Sequence, residues 1–399
     1  MNGAGAVLAI DQGTSGTKAV VVDQADGVLA TVEVPIRPAY LGGGRVEQDP
    51  AELLASVLEA GTRAVAAAGR PVGTLALANQ GETVLAWDLR SGAAAGQAIS
   101  WQDGRAADIC TDLEGEREWI GQRSGLVLDP YFSAPKMAWL RRNGVDGGVV
   151  TTTDTWLLHR LTGAFVTDAS TASRSLLVDL DRVGWDEDLL AVFGLAGEQL
   201  PRIVACDEIV GETSAFGAPM QVGGLIVDQQ AALLAHGCWQ PGATKCTFGT
   251  GAFLLANTGQ RAPRSATGLT TSVAWQVGGA TDYCLDGQVF TAGSAVRWLI
   301  DLGLVDSATQ LDAVVAPDAG DVLCVPALAG LAAPWWRSSA TASLTGMTLS
   351  TGRGEVVLAV LQGIAAQVAA LVGCMNADLD AAPTELCVDG GLTRCAALL

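Results

Sequence analysis

Two short segments of this 399-residue chain share one plan, and that recurrence limits the available folds more than any other feature. In the first, apolar Val7–Ile10 runs into Asp11-Gln12-Gly13-Thr14-Ser15-Gly16 and then into β-branched Ala19–Val22. In the second, Thr244–Phe248 is followed by Gly249-Thr250-Gly251 and then by apolar Phe253–Ala256. Apolar runs broken by Gly-Thr turns read as strand, turn, strand. A composition break at Gly237–Gly242, carrying Trp-Gln-Pro-Gly, separates the two copies. The spacing predicts a weak internal duplication with a hinge near residue 240, hence a first lobe over 1–238 and a second over 239–399.

Further strands are expected at Val28–Val34, Thr74–Ala78, Val84–Trp87, Ala98–Trp101 and Val222–Val227. Asp49-Pro50 starts a helix, with proline where its missing N–H costs nothing. Leu54, Val57, Leu58, Gly61 and Val65 fall on one face of that helix. Thr153–Arg160 and Gln229–His236 read as helices too. Strands and helices mixed in both halves give an α/β protein of two lobes facing a cleft. Val356 to Met375 is twenty residues without a charge, but Gln362, Gln367, two glycines and abundant alanine favour a buried core helix over a membrane span.

The charge balance excludes whole classes of function. Lys+Arg total 23 against 42 Asp+Glu, a formal charge of −19, and the few cations are scattered. Such a chain repels nucleic acid and anionic lipid. Only three lysines occur, Lys18, Lys136 and Lys245. Nine cysteines without a C-x-x-C pair, and no charged leader segment, predict reduced thiols in a cytoplasmic protein. His236 and Cys238 lie near Cys246, yet at poor spacing for zinc.

Neither nucleotide fingerprint is present. Gly13 stands five residues before Lys18 and not before a Gly-Lys pair, and Gly249 and Gly251 lack a third glycine. What remains is one Gly-Thr turn per half. Such turns aim backbone N–H groups and a hydroxyl at phosphate oxygens, although ordinary hairpins carry the same residues. Lys18 and Lys245 sit beside them. Asp228 ends an apolar strand and precedes a helix. It is either a helix N-cap or a carboxylate that takes a proton from a substrate hydroxyl. Asp11 poses the same choice, with magnesium coordination as the functional alternative.

Seven ordered segments resemble the FGGY family of carbohydrate kinases, closest to its glycerol kinase branch. Asp11-Gln12-Gly13-Thr14 is similar to the family's first phosphate motif. Asn79-Gln80-Gly81-Glu82-Thr83 resembles its polyol loop, and Trp101-Gln102-Asp103-Gly104-Arg105 the segment after it. Tyr131 through Leu140 fits the first family signature. Asp228-Gln229-Gln230-Ala231-Ala232-Leu233 resembles the catalytic segment, and Thr247-Phe248-Gly249-Thr250-Gly251 the second phosphate motif. Gly346-Met347, Glu355-Val356 and Ala359-Val360-Leu361-Gln362-Gly363 fit the second signature, and Asp389-Gly390-Gly391 resembles the adenosine motif.

The resemblance implies the two-lobe, actin-like (ribonuclease H-like) fold, and transfer of the γ-phosphoryl group of ATP, with Mg²⁺, to a sugar or polyol hydroxyl. It assigns Asp228 as general base, with Gly81, Glu82, Trp101, Tyr131, Asp228 and Gln229 at the acceptor. It places Gly13, Thr14, Ser15, Lys18, Gly249, Thr250, Gly293, Gly390 and Gly391 at the nucleotide, and Asp11 at the metal. Lys136 reads as structural.

Two departures from the family pattern matter. Glycerol kinases carry an arginine where this chain has Gly81, so a larger, less cationic pocket is expected, with glycerol a poor substrate and a longer polyol or a ketose a better one. The chain also stops at Leu399, inside the helix expected after the adenosine motif, and Cys395 stands where glycerol kinases place an asparagine. Leu386, Val388, Leu392, Leu398 and Leu399 read as a buried strand and the start of a buried helix. A second lobe incomplete there exposes apolar surface, so self-association as a homodimer or weakened ATP binding is expected. The alternative to an active kinase is a non-catalytic nucleotide- or sugar-binding relative.

Overall fold

The computed structural model describes residues 5–379, 383 and 385–399. The chain forms two compact units: Met1–Ala231 together with Ser272–Asp282, and Ala232–Thr271 together with Tyr283–Leu399.

The first unit is built on a six-stranded sheet. Its order is Gly211–Thr213, Met220–Val227, Val72–Asn79, Ala6–Gln12, Gly16–Asp23 and Gly27–Pro35. Ala6–Gln12 pairs antiparallel with Gly16–Asp23, as a short turn requires, and parallel with Val72–Asn79 on its other side. Met220–Val227 is also parallel to Val72–Asn79. The helix Pro50–Ala68 covers this sheet; Asp49 caps it by accepting from the Ala51 N–H at 2.8 Å, with proline in the first turn.

The buried face of that helix is rotated from the expected one. Leu53, Val57, Ala60, Gly61 and Ala64 are its core residues, whereas Leu54, Leu58 and Val65 are only partly buried at the margin. Gly61 explains the rotation. A Cβ there would lie 2.4 Å from the Phe216 ring, so the helix meets the core through its smallest residues. The expected strand Ala98–Trp101 shortens to Ala98–Ile99, because Ser100 onward turns to bring Trp101 inward.

The second unit repeats the opening plan. Thr244–Phe248 pairs antiparallel with Ala252–Gly259 and parallel with Leu386–Asp389. Ala252–Gly259 pairs antiparallel on its other side with residues 283–289. Thus in each unit the strand before a Gly-Thr turn has an antiparallel partner on one side and a parallel one on the other. The helix Arg353–Asp378 is the one described helix long and apolar enough, by length and composition, to cross a membrane. Here Val357, Val360, Leu361, Ile364, Val368, Leu371 and Met375 pack it into the core of this unit. Leu392 and Leu398 are buried, as expected, but Leu386, Val388 and Leu399 are exposed. The reason is that Leu386–Asp389 is the edge strand of its sheet, and its Leu386 and Val388 face away from the core. None of the nine cysteines is in a disulfide.

Candidate active site

Register brings the scattered motifs of the first unit to one place. In the parallel ladder Gln12 lies opposite Asn79, and Asn79 opposite Val227. The residues just beyond those strand ends are Gly13-Thr14, Gln80-Gly81-Glu82 and Asp228-Gln229. Three motifs more than sixty residues apart in sequence therefore share the carboxyl edge of neighbouring strands, where α/β proteins bind ligands.

Side chains lock these loops together. Gln80 donates its backbone N–H to the Gln12 carbonyl at 2.8 Å, and its amide nitrogen reaches Gln48 Oε1 at 3.0 Å. Gln48 in turn donates to the Thr14 carbonyl at 2.9 Å. The Trp101 indole donates to the Thr14 hydroxyl at 2.7 Å, and the Thr83 hydroxyl accepts from the Trp101 backbone. Gln12, Gln48 and Gln80 are buried. Buried amides with satisfied hydrogen bonds fix one geometry, because leaving any of them unpaired costs about 1–3 kcal/mol.

Tyr131 enters from another loop. Asp129 accepts from the Tyr131 N–H at 2.9 Å, and Lys136, fully buried, donates to the carbonyls of Pro130, Tyr131 and Phe132. Burial pulls the Lys136 ammonium down to about 8 and pushes the Asp129 carboxyl up to about 6. The Tyr131 ring packs edge-on against Trp101, 5.8 Å between centroids.

A residue not singled out from the sequence completes this cluster. Arg174 follows the short helix Ala169–Ala172, which Asp168 caps by accepting from Ser170 and Thr171 N–H groups. Arg174 forms a buried ion pair with Glu82 and donates to the Tyr131 hydroxyl at 3.1 Å. Ser170 of the same helix accepts from the Val227 N–H at 2.9 Å, so the segment that carries Arg174 also anchors the strand end before Asp228. Position 81 brings no guanidinium to the polyol-type loop, but Arg174 brings one to Glu82 from a different segment. Its sequence signal is a lone charge in Ala172-Ser173-Arg174-Ser175-Leu176-Leu177, where no exposed face can take it.

Asp11 and Lys18 face each other in register and both are exposed. Neighbouring atoms crowd water from the Asp11 carboxyl and raise its pKa, against the pull of Lys18 and with a smaller push from Glu33. Ser15 is exposed as well; its carbonyl accepts from Ile36. Asp228 and Gln229 are half-buried at the start of the helix Asp228–Ala235.

In the second unit Gly249, Thr250 and Gly293 meet, and Gly390 lies against Phe248. The Gly249 carbonyl accepts from Gly293 N–H at 2.9 Å, and Thr250 accepts from the N–H groups of Ala292 and Ser294. A Cβ at Gly293 would lie 2.5 Å from the Gly249 carbonyl oxygen. A Cβ at Gly390, whose φ is +94°, would lie 2.3 Å from that of Phe248. Gly391 is exposed and opens the single-turn helix Gly391–Arg394. Lys245 is buried and donates to the Thr247 hydroxyl at 2.9 Å. Among the described residues no group of three His, Cys, Asp or Glu could hold a metal ion by itself.

Comparison with known proteins supplies the class. Residues 6–235 match the N-terminal domain of the FGGY family of carbohydrate kinases, and residues 244–399 match its C-terminal domain. A glycerol kinase of Alkalilimnicola ehrlichii is 43% identical over 97% of this chain and 82% of its own length. One from Gloeobacter violaceus is 42% identical over 98% of this chain and 81% of its length. The structure of Plasmodium falciparum glycerol kinase with ADP is 31% identical, covers 98% of this chain and 83% of that one, and has a TM-score of 0.84. A xylulose kinase from Lactobacillus acidophilus, at 19% identity, 98% of this chain and 82% of that one, has the same fold with a TM-score of 0.84. The chain belongs to the FGGY family of carbohydrate kinases. It is an ATP-dependent sugar or polyol kinase, a phosphotransferase with an alcohol group as acceptor, and the non-catalytic alternative finds no support.

Proposed function

We propose that the acceptor is a short polyol of the glycerol class and that Asp228 is the general base. The observation that carries the reading is the common strand edge of Gln12, Asn79 and Val227, which sets Asp228 beside the polyol-type loop. Glu82, Trp101, Tyr131 and Gln229 would contact the acceptor hydroxyls, with Gly81 giving the loop its close approach. A carboxylate acceptor, an indole, a phenol and an amide suit a neutral, many-hydroxyl ligand. Asp228 would draw the proton from the hydroxyl that attacks the γ-phosphorus, which needs positioning more than strong basicity.

Gly13, Thr14, Ser15 and Lys18 in the first unit, and Gly249, Thr250, Gly293, Gly390 and Gly391 in the second, are the proposed nucleotide contacts. Glycines whose Cβ would strike neighbouring carbonyls keep the backbone close enough for amides to reach phosphate. Mg²⁺ fits the donor set: Asp11 offers one hard, exposed carboxylate oxygen, and magnesium completes its shell with phosphate and water rather than a protein cage. Bound there, it would neutralise charge on the transferring phosphate.

The test is ADP release by the purified protein over a panel of glycerol, longer polyols and ketoses. Preferred turnover of a three- or four-carbon polyol supports the reading. Turnover of ketoses alone would overturn it.

A further inference from the structure

Position 81 adjoins Arg174. A Cβ on Gly81 would sit 3.1 Å from Val227 Cγ2 and 3.8 Å from both Cδ and Nε of Arg174. A side chain there would press first on the Val227 methyl and lie in van der Waals contact with the arginine. Arg174 is itself only 3% exposed. Its guanidinium pairs with Glu82, donates to the Tyr131 hydroxyl and reaches Ser272 Oγ at 3.4 Å. It also lies 5.7 Å and 5.8 Å from the ring centroids of Tyr131 and Phe132. Glu82 stands at φ +57°, in the left-handed region that non-glycine residues avoid. A planar guanidinium holds two partners at fixed angles, and an ammonium cannot.

We infer that Arg174 is the positioning residue that sets acceptor selectivity: it aligns Glu82 and Tyr131 as one unit, beside the space that a side chain at position 81 would enter. The inference rests on the acceptor-pocket reading above. Glycine at 81 is then the partner of Arg174, and the pocket keeps its cation.

Four variants test this, with kcat and KM measured separately for glycerol, erythritol and ATP. Arg174→Lys keeps the charge opposite Glu82 but loses the fork, so acceptor KM should rise roughly tenfold while ATP KM stays within about twofold. Gly81→Arg, which adds a second guanidinium beside Arg174, should also raise acceptor KM and change the glycerol-to-erythritol ratio. The double variant Gly81→Arg/Arg174→Gly should outperform both Gly81→Arg and Arg174→Gly. Glu82→Gln serves as the control on the pocket. A folded Arg174→Lys protein, or a folded Gly81→Arg protein, with unchanged acceptor KM, alongside a Glu82→Gln protein with raised KM, overturns the role of Arg174 and leaves the pocket standing. No effect from Glu82→Gln overturns both.

Discussion

The indole nitrogen of Trp101 donates to the hydroxyl of Thr14 across 2.7 Å, joining two residues 87 apart in sequence. One belongs to the turn proposed for phosphate and the other to the proposed acceptor wall, so the two functions share a hydrogen bond. Trp101→Phe keeps an aromatic ring and removes the donor. It should cost about 1 kcal/mol of stability and raise the acceptor KM several-fold, roughly in proportion. Denaturant unfolding with steady-state kinetics checks it; an acceptor KM equal to the parent's means the bond has no part in the pocket.

Lys136 should prove structural and indispensable. Its ammonium satisfies three carbonyls on either side of Tyr131. Lys136→Met leaves them buried without a donor, at roughly 1–3 kcal/mol each. The expected outcome is little or no soluble, cooperatively unfolding protein, measured by thermal melts. A melt within a few degrees of the parent would show that water replaces the lysine.

Gly293→Ala should act on the nucleotide alone. The new methyl would press on the Gly249 carbonyl and shift the Gly249–Thr250 turn. We expect ATP KM to rise about tenfold with acceptor KM unchanged. Equal changes in both would indicate general loosening of the fold.

Asp154 gives a pH dependence with a definite sign. Burial raises its pKa from 3.8 to about 6, opposed by hydrogen bonds from Thr152 and Thr167 and aided by the charge of Asp168. Between those values the folded protein binds a proton that the unfolded chain has released. This group's contribution to stability is therefore greatest below pH 4 and is lost as pH rises to 6, by about 3 kcal/mol at most. Asp154→Asn should remove the slope, so the variant gains on the parent between pH 4 and 7. Urea unfolding at several pH values measures it; parallel curves for the two proteins would contradict the assignment.

Much of this arrangement is legible in the sequence, because it is local. The Gly-Thr turns, the cap at Asp49 and the strand before Asp228 depend on neighbouring residues, and each element lies within a few positions of its expected place. What could not be read depends on contacts across the chain. The face of the Pro50–Ala68 helix turns on Gly61 meeting Phe216, 155 positions away. Arg174 pairs with Glu82 across 92 positions. No periodicity encodes either partnership. The hydrogen bonds that join the buried glutamines 12, 48 and 80 escape notice for the same reason.

Asp228 is the residue proposed to take the acceptor's proton. The most direct measurement is single-turnover phosphoryl transfer by Asp228→Asn, with ATP binding titrated in parallel. The rate should fall by a factor of about 10²–10⁴, with nearly unchanged ATP affinity and an intact fold. An Asp228→Asn protein that transfers phosphate at close to the parent's rate would contradict it.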